Sequence, residues 1–469
     1  MMQEQLPAAD TAVSTPDSIS GVERFITGFS DLAWGTPLLV LLLGGGLFFL
    51  LYSRLMPLRH FGHALAILAG RYDNPDEPGQ INHYQALSTA LAATVGMGNI
   101  SSVAIAITVG GPGAIFWMWV SAMLGITTKY FTCTLAVMFR GRDSRGEIQG
   151  GPMYVIVEGL GKKWKPLAVF FCMMGMIGVL PMFQVNQLTQ IVRDVVLLPN
   201  GVNAGFSTNL VSGLLVSVLV ALVIFGGIRR IGNVTGRLVP VMVILYVLSV
   251  LFILASNAGR IIPGFRLILW DAFTAESVLG GSVGALIITG IRRAAFSNEA
   301  GIGTAPMAHG AAKTGEPVRE GLVAMLGPVV DTLIVCTMTA LALIITGVWE
   351  SGESNGITLT ADAFEKAIPG AGAYLLTLCA AIFSLSTMLS FPYYGSKCFS
   401  FIFGAGYSRI YMWLYVATIP VGATATLGTV VGIFDGAYAL MAFPTMISAL
   451  LLSPKVMQAS RKYFSRLRQ

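Results

Sequence analysis

Two stretches decide the fold: Thr94-Val95-Gly96-Met97-Gly98-Asn99 and Phe296-Ser297-Asn298-Glu299-Ala300-Gly301-Ile302-Gly303-Thr304. Each sets Gly-x-Gly in the middle of a long apolar run. The chain around them is 55% hydrophobic and 11% charged over 469 residues, with a mean hydropathy of +0.74. A soluble domain carries about 25% charged residues. In lipid every backbone polar group must bond within its own element, so long apolar helices or closed barrels span the bilayer. The runs here are about 20 residues long, not the roughly 10-residue alternation of barrel strands. The fold class expected is therefore an all-α polytopic membrane protein.

The apolar runs predict eleven spans. One covers about 33–54; ten follow at about 82–109, 113–139, 166–192, 208–227, 238–256, 278–309, 320–347, 370–394, 410–428 and 433–453. Of the 29 Lys and Arg residues, 22 fall in one set of alternate loops and 5 in the other, with Arg292 and Arg293 inside a span. Positive residues mark the cytoplasmic side. The N-terminus is expected outside and the C-terminus in the cytoplasm of a multi-pass cell-membrane protein. The polar and somewhat acidic segment 1–32 reads as an extracytoplasmic tail without the basic start of a signal peptide. The net charge of +6 is explained by these loops, so nucleic acid is not an expected partner.

With the span at 33–54 set aside as an extra helix and 55–80 as a cytoplasmic connector, two five-helix units remain, 81–257 and 277–453, before a basic tail at 454–469. The first helix of each unit carries one of the two glycine interruptions. An odd number of helices per unit inverts the second relative to the first, the pattern of secondary transporters. A break at membrane depth frees N–H and C=O groups that are costly to leave unpaired. Such a break persists where these groups bind something: N–H groups at a half-helix start suit a carboxylate, and carbonyls suit Na⁺. Close helix packing is the plainer use of Gly-x-Gly, but two motifs at corresponding places, each beside polar residues, favour ligand sites.

Polar side chains at membrane depth are functional candidates. Thr94 and Asn99 flank the first break; Ser297, Asn298 and Glu299 flank the second, after Phe296; Asp331 and Thr332 lie in the next helix; Gln184, Asn186 and Gln187 follow Pro181; Ser384, Ser386 and Thr387 lie at mid-depth. Asn186 and Gln187 could equally link helices, and Ser384 alone says little because hydroxyls bond back to their own helix. The adjacent Ser386 and Thr387 offer two hydroxyls to a Na⁺ cage. Arg292 and Arg293 need partners, for which Glu299 and Asp331 are the candidates, unless water lines this half of the helix. The five cysteines lack a pairing rhythm and read as packing thiols; His60 and His63, at i and i+3, read as an interfacial helix face rather than metal ligands.

The stretches Ala86–Ala90 through Gly96-Met97-Gly98-Asn99-Ile100, Gly110–Gly113 with Phe116-Trp117-Met118-Trp119, Gly150–Tyr154, Phe296–His309 and Asp331–Thr337 resemble the alanine/glycine:cation symporter family, over about residues 60–450. The resemblance implies uptake of alanine or glycine driven by Na⁺, sometimes H⁺, on a LeuT-type scaffold without an organic cofactor. It implies that the amides of Met97 and Gly98 hold the substrate carboxylate, with Thr94, Gly96, Asn298 and Gly301 around it. Carbonyls of Ala92 and Val95 with Ser386 and Thr387 would form one Na⁺ site. Asn99 and Ser297 would serve a second cation or the substrate amine. Phe296 would be a lid, and Gln184 would reach in from the third repeat helix. Glu299, Asp331, Arg292, Arg293 and Lys129 are left as structural or coupling residues.

The chain departs from the family pattern at Thr132, Gly236, Gly327 and Ser396, where glutamate is expected, at Phe391 and Pro392, where tryptophan and serine are expected, and at Ser102, where glycine is expected. Lys129 thereby loses its expected acidic partner at i+3. An H⁺-coupled transporter, with Glu299 or Asp331 carrying the proton, or one for another solute, is the alternative on the same scaffold. A channel or intramembrane enzyme is remoter: a repeated filter and a Ser/His, paired-Asp or metal-ligand set are not evident.

Overall fold

The computed structural model describes residues 21–203, 205–274, 283–352 and 354–467. The first 20 residues of the expected tail, the start of the span expected at 278 and Arg468 lie outside them, as do the surroundings of Gly236. The described chain is almost wholly helical. Its only strands are the two-residue hairpin Gly141–Arg142 and Ile148–Gln149. Six helices among the described residues are long and apolar enough to cross a membrane, and three bent pairs raise this to nine.

The first break matches its sequence signals. A capping box starts the helix at His83: Asn82 Oδ1 accepts from Gln85 N–H (2.8 Å) and Gln85 Oε1 accepts from Asn82 N–H (3.0 Å). The helix His83–Thr94 ends at Val95, whose backbone is extended, and Gly98–Gly110 continues at 55° to it. The second break separates Val283–Asn298 from Thr304–His309. Glu299, Gly301 and Gly303 take positive φ of 54°, 87° and 113°. Only glycine adopts this conformation freely, so the second break is written into the backbone by Gly301 and Gly303. Glu299 pays no such ease; its strained turn is held by hydrogen bonds described below.

Most expected spans match long helices: Ala114–Met138, Lys162–Asn200, Phe206–Ile224, Pro317–Thr346 and Gly372–Phe403. Four boundaries need correction. Residues Gly21–Ala33, expected in a polar tail, form a helix joined at 42° to Thr36–Tyr52. It packs into a groove of the last helix, where Gly428, Gly432 and Gly436 face Glu23, Ile26 and Phe29 so closely that a Cβ would clash. The last helix, Leu427–Leu467, does not end near 453 but runs through the expected basic tail. Its 41 residues make a rod about 60 Å long, twice the roughly 30 Å hydrocarbon core. The stretch expected as a connector after 257 holds the helix Ala258–Asp271, turned 100° from its predecessor. Asp271 Oδ2 accepts from Gly113 N–H (2.6 Å) and so caps Ala114–Met138.

The fourth correction bears on the site. The polar loop expected between 347 and 370 contains the helix Ile357–Ala367, with Ile357, Leu359, Thr360, Ala363 and Phe364 buried. Gln187 Oε1 accepts from its Ile357 N–H (3.2 Å), and Thr360 Oγ1 donates to Ile100 O (3.4 Å). This short helix therefore sits over the second half of the first broken helix.

Candidate functional site

At the first break the helical hydrogen bonds are rerouted. Gly96 N–H donates to Asn99 Oδ1 (2.8 Å) rather than to Ala92 O, and Asn99 N–H donates to Gly96 O (3.1 Å) rather than to Val95 O. The Ala92 and Val95 carbonyls are released from the ladder. Ser386 Oγ and Thr387 Oγ1, on the helix Gly372–Phe403, lie 3.4 and 3.3 Å from Ala92 O. The two hydroxyls singled out from the sequence thus meet the expected carbonyl. The donor set is all oxygen, the chemistry that suits a hard cation. Gly96 makes this approach possible, since a Cβ there would stand 2.6 Å from Thr387 Oγ1.

Asp331 ties the two breaks together. Its Oδ1 accepts from Asn99 Nδ2 (2.7 Å), and its Oδ2 accepts from Ser297 Oγ (2.7 Å) and Thr332 Oγ1 (2.8 Å). Asn99 Nδ2 also lies 3.2 Å from Ser297 Oγ, and Cys336 Sγ stands 3.4 Å from Asn99 Nδ2. All five residues are buried. A carboxylate buried with three donors is retained, because removing any donor strands polar groups in a low-dielectric interior. Asp331 sits in an eight-residue π-helical segment, Val329–Cys336, a local widening common at functional sites.

The second break is braced differently. Asn298 Oδ1 accepts from Ala300 N–H (2.9 Å) while its Nδ2 donates to Thr332 Oγ1 (3.0 Å). The Glu299 carboxylate accepts from Thr304 Oγ1 and from Tyr438 OH (2.8 Å). Glu299 thus spans its own break and meets the last helix.

The remaining sequence-selected residues divide. Met97 and Gly98 open the second half-helix, and a Cβ at Gly98 would touch Phe296 and the Ser297 Cα at 3.5 Å. The Phe296 ring packs between Phe183 (4.9 Å) and Phe434 (4.7 Å). Gln184 is buried and its Oε1 has no protein partner among the described residues. Thr94 Oγ1 bonds back to Ala90 O (3.1 Å), a helix-internal contact. The structure does not bring Gly301 to the first break: a Cβ there would meet Leu42 and Met446.

The expected arginine partners are corrected. Arg293 pairs with Asp435 of the last helix, not with Glu299 or Asp331, and its guanidinium lies 5.4 Å from the Phe296 ring centre. Arg292 pairs with Asp31 (3.0 Å) and lies over Trp34 (5.6 Å). Asp31 and Asp435 are far from the arginines in sequence, and only the packing of both terminal helices on Val283–Asn298 reveals them. Lys129 is buried beside Gly327, where a Cβ would come 3.1 Å from Nζ, and the charges facing it are those of Glu299 and Asp331. Ser101 bonds Gln187, which with Asn186 and Gln190 forms a side-chain chain; Asn186 Nδ2 donates to Gly422 O (3.1 Å) and Ala425 O (2.8 Å), the linking role left open above. The five cysteines are free and buried, and His60 and His63 pack on Phe464 and Tyr463.

Sequence reasoning missed Asp435, Tyr438, Cys336 and a cluster of His83, His309 and Glu320. The histidines are 226 positions apart, each alone in its helix, so spacing gives no signal; the cluster is assembled only by tertiary packing.

Comparison with known proteins gives the family and the fold. The model of the sodium:alanine symporter family matches residues 19–469. The chain is 41% identical to the sodium/alanine symporter AgcS of Methanococcus maripaludis over 442 residues, 92% of this chain and 95% of that one. It is 31% identical to the probable sodium/glutamine symporter GlnT of Bacillus subtilis, covering 94% and 91%. The crystal structure of MhsT in complex with L-phenylalanine superposes with a TM-score of 0.52 at 13% identity, over 81% of this chain and 98% of that chain, which shows a shared LeuT-type transporter fold. The relatives are transporters rather than enzymes, and the chain belongs to the sodium:alanine symporter family.

Proposed function

We propose that this protein carries small neutral amino acids such as alanine or glycine into the cell together with Na⁺, by alternating access around the two breaks. The observation that carries this reading is the oxygen cluster at the first break: Ala92 O facing Ser386 Oγ and Thr387 Oγ1, beside amides that open a half-helix. Na⁺ sits on Ala92 O, Val95 O, Ser386 and Thr387. The substrate carboxylate meets the Met97 and Gly98 amides, where backbone N–H groups and the half-helix dipole favour an anion. Gln184, with a free acceptor, takes the substrate ammonium, and Phe296 closes over it with Thr94 and Asn298 at the margin. Asn99 and Ser297 both donate to Asp331, which leaves the Ser297 hydroxyl oxygen beside a carboxylate; they serve the substrate amine or a second cation whose charge Asp331 would balance.

Relatives named for alanine and for glutamine support an uncharged amino acid as the substrate. The reading includes eleven crossings, two inverted five-helix units and a C-terminus on the basic, cytoplasmic side. A proton-driven carrier is the second reading, favoured by the buried carboxylates of Glu299 and Asp331. Thermal unfolding of the purified protein across the amino acids, with Na⁺ or with choline, separates them. A ligand bound only by the folded state raises the midpoint. Stabilisation by alanine or glycine that needs Na⁺ supports the proposal; stabilisation that ignores Na⁺ and follows pH favours the proton.

A further inference from the structure

The basic end of the molecule, cytoplasmic on the reading above, holds a cluster that the transport site does not use. His83 begins the first broken helix, His309 ends the second, and Glu320 lies one turn into Pro317–Thr346. His83 Nδ1–H donates to Glu320 Oε2, and His309 Nδ1–H donates to Glu320 Oε1 (2.5 Å). All three side chains are fully buried. One carboxylate therefore bonds the outer ends of both broken helices at once. The surrounding backbone closes over the same junction: Gln80 N–H donates to Ala311 O (2.8 Å), Thr314 N–H to Pro78 O (3.2 Å), and Ile81 bridges Ala312. Arg140 donates to the carbonyls of Gly310 (2.8 Å), Thr314 (3.0 Å), Pro78 (3.1 Å) and Ala312.

We propose that His83, Glu320 and His309 are the latch of the cytoplasmic gate, closed in this structure, and that releasing substrate inward requires Glu320 to let go of at least one imidazole. The latch rests on the alternating-access reading, but not on which amino acid is carried. Three features suit a latch rather than a fixed brace. The bonded groups lie on the two helices that are broken, so their outer halves can swing without unfolding the rest. Charge-assisted bonds to one carboxylate are strong yet few. Both Nε2 atoms are buried without a partner among the described residues, which disfavours the closed form and which water in an open pathway would relieve. Cys133 packs beneath the latch against Ala305 of the second half-helix and Ala324 of the Glu320 helix. Swinging Thr304–His309 away uncovers it.

Native Cys133 therefore reports the gate. The full chain in inside-out vesicles is treated with a polar maleimide, and modification of Cys133 and of the distant buried Cys379 is read by peptide mass spectrometry. Glu320→Ala is expected to raise the Cys133 rate about tenfold or more, the shift that losing a charge-assisted bond gives, with Cys379 still protected. Glu320→Gln stays within about threefold, since its amide bonds both imidazoles after one changes tautomer. Should Glu320→Ala fail to fold, His83→Ala and His309→Ala carry the same expectation in smaller measure. Unchanged Cys133 labelling in folded variants overturns the latch. So does a joint rise at Cys133 and Cys379, which would make the cluster a general support of the fold.

Discussion

Replacing Gly96 by alanine tests the cation site through one atom. The new methyl lands 2.6 Å from Thr387 Oγ1, while carbon–oxygen contacts settle near 3.3 Å or beyond, so the hydroxyl must yield by roughly 0.7 Å. Thr387 is β-branched on a helix, and its escape is a change of χ1 that carries Oγ1 away from Ala92 O. One oxygen is then lost from the set proposed for Na⁺. A hydrogen bond to a charged group contributes about 1.5–3 kcal/mol; taking this as the scale for one ligand, Na⁺ affinity should weaken about tenfold to about a hundredfold. Gly62→Ala, in the helix Phe61–Leu68 and outside the proposed site, is the control, since nothing lies within 4 Å of a Cβ there. The assay is alanine uptake against Na⁺ concentration for Gly96→Ala, Thr387→Ala and the double variant. Because Gly96→Ala acts through Thr387, the double variant should be little worse than either single one. A Gly96→Ala half-saturation within twofold of the natural chain, or fully additive losses, would refute the reasoning.

Four further outcomes follow from the same geometry. Gln184→Ala should raise the alanine KM about tenfold while leaving the Na⁺ dependence nearly unchanged, because the proposal gives its buried acceptor, unpaired among the described residues, to the substrate ammonium and not to the cation. Asp435→Ala should lower stability by about 3–5 kcal/mol, read by unfolding in detergent, since it leaves the buried Arg293 unpaired; adding Arg293→Met should recover much of the loss. Lys129→Met removes the positive charge facing Glu299 and Asp331 and should tighten apparent Na⁺ affinity; weaker affinity in a folded variant would contradict that role. Glu365, outside the spans, accepts from the amides of Ala373 (3.1 Å) and Gly370 (2.5 Å), which hold its carboxyl below the ordinary range. Its cap is therefore intact at neutral pH and is lost as pH falls through that lowered value. Exchange protection of the Gly370 and Ala373 amides should fall with it, and a flat pH profile would be the contrary result.

The helical fold and both breaks were legible because they rest on local signals. Gly-x-Gly within an apolar run marks a place where a helix cannot simply continue, and the structure puts positive φ at Gly301 and Gly303. Ser386 and Thr387 were legible as adjacent hydroxyls at mid-depth. What escaped was set by packing between distant segments. The arginine partners Asp31 and Asp435 lie on the first and last helices, 261 and 142 positions away. The helix Gly21–Ala33 hides in a polar-looking sequence because its apolar face is short and is covered by glycines of another helix. The end of Leu427–Leu467 was misplaced because its basic residues lower the hydropathy, whereas the helix continues with Val456, Met457, Tyr463 and Phe464 buried against the protein and Lys455, Arg461 and Lys462 exposed. Gly301 was misassigned for a related reason: its φ is needed for the break, but the side it shows faces Leu42 and Met446.

Uptake in proteoliposomes tests the central claim most directly. Purified protein is reconstituted, and labelled alanine and glycine are supplied with an inward Na⁺ gradient, an inward H⁺ gradient or neither. The account predicts accumulation above equilibrium under the Na⁺ gradient, collapsing when the gradient is dissipated. No accumulation of alanine, glycine or serine under the Na⁺ gradient, by protein that remains folded, would contradict it.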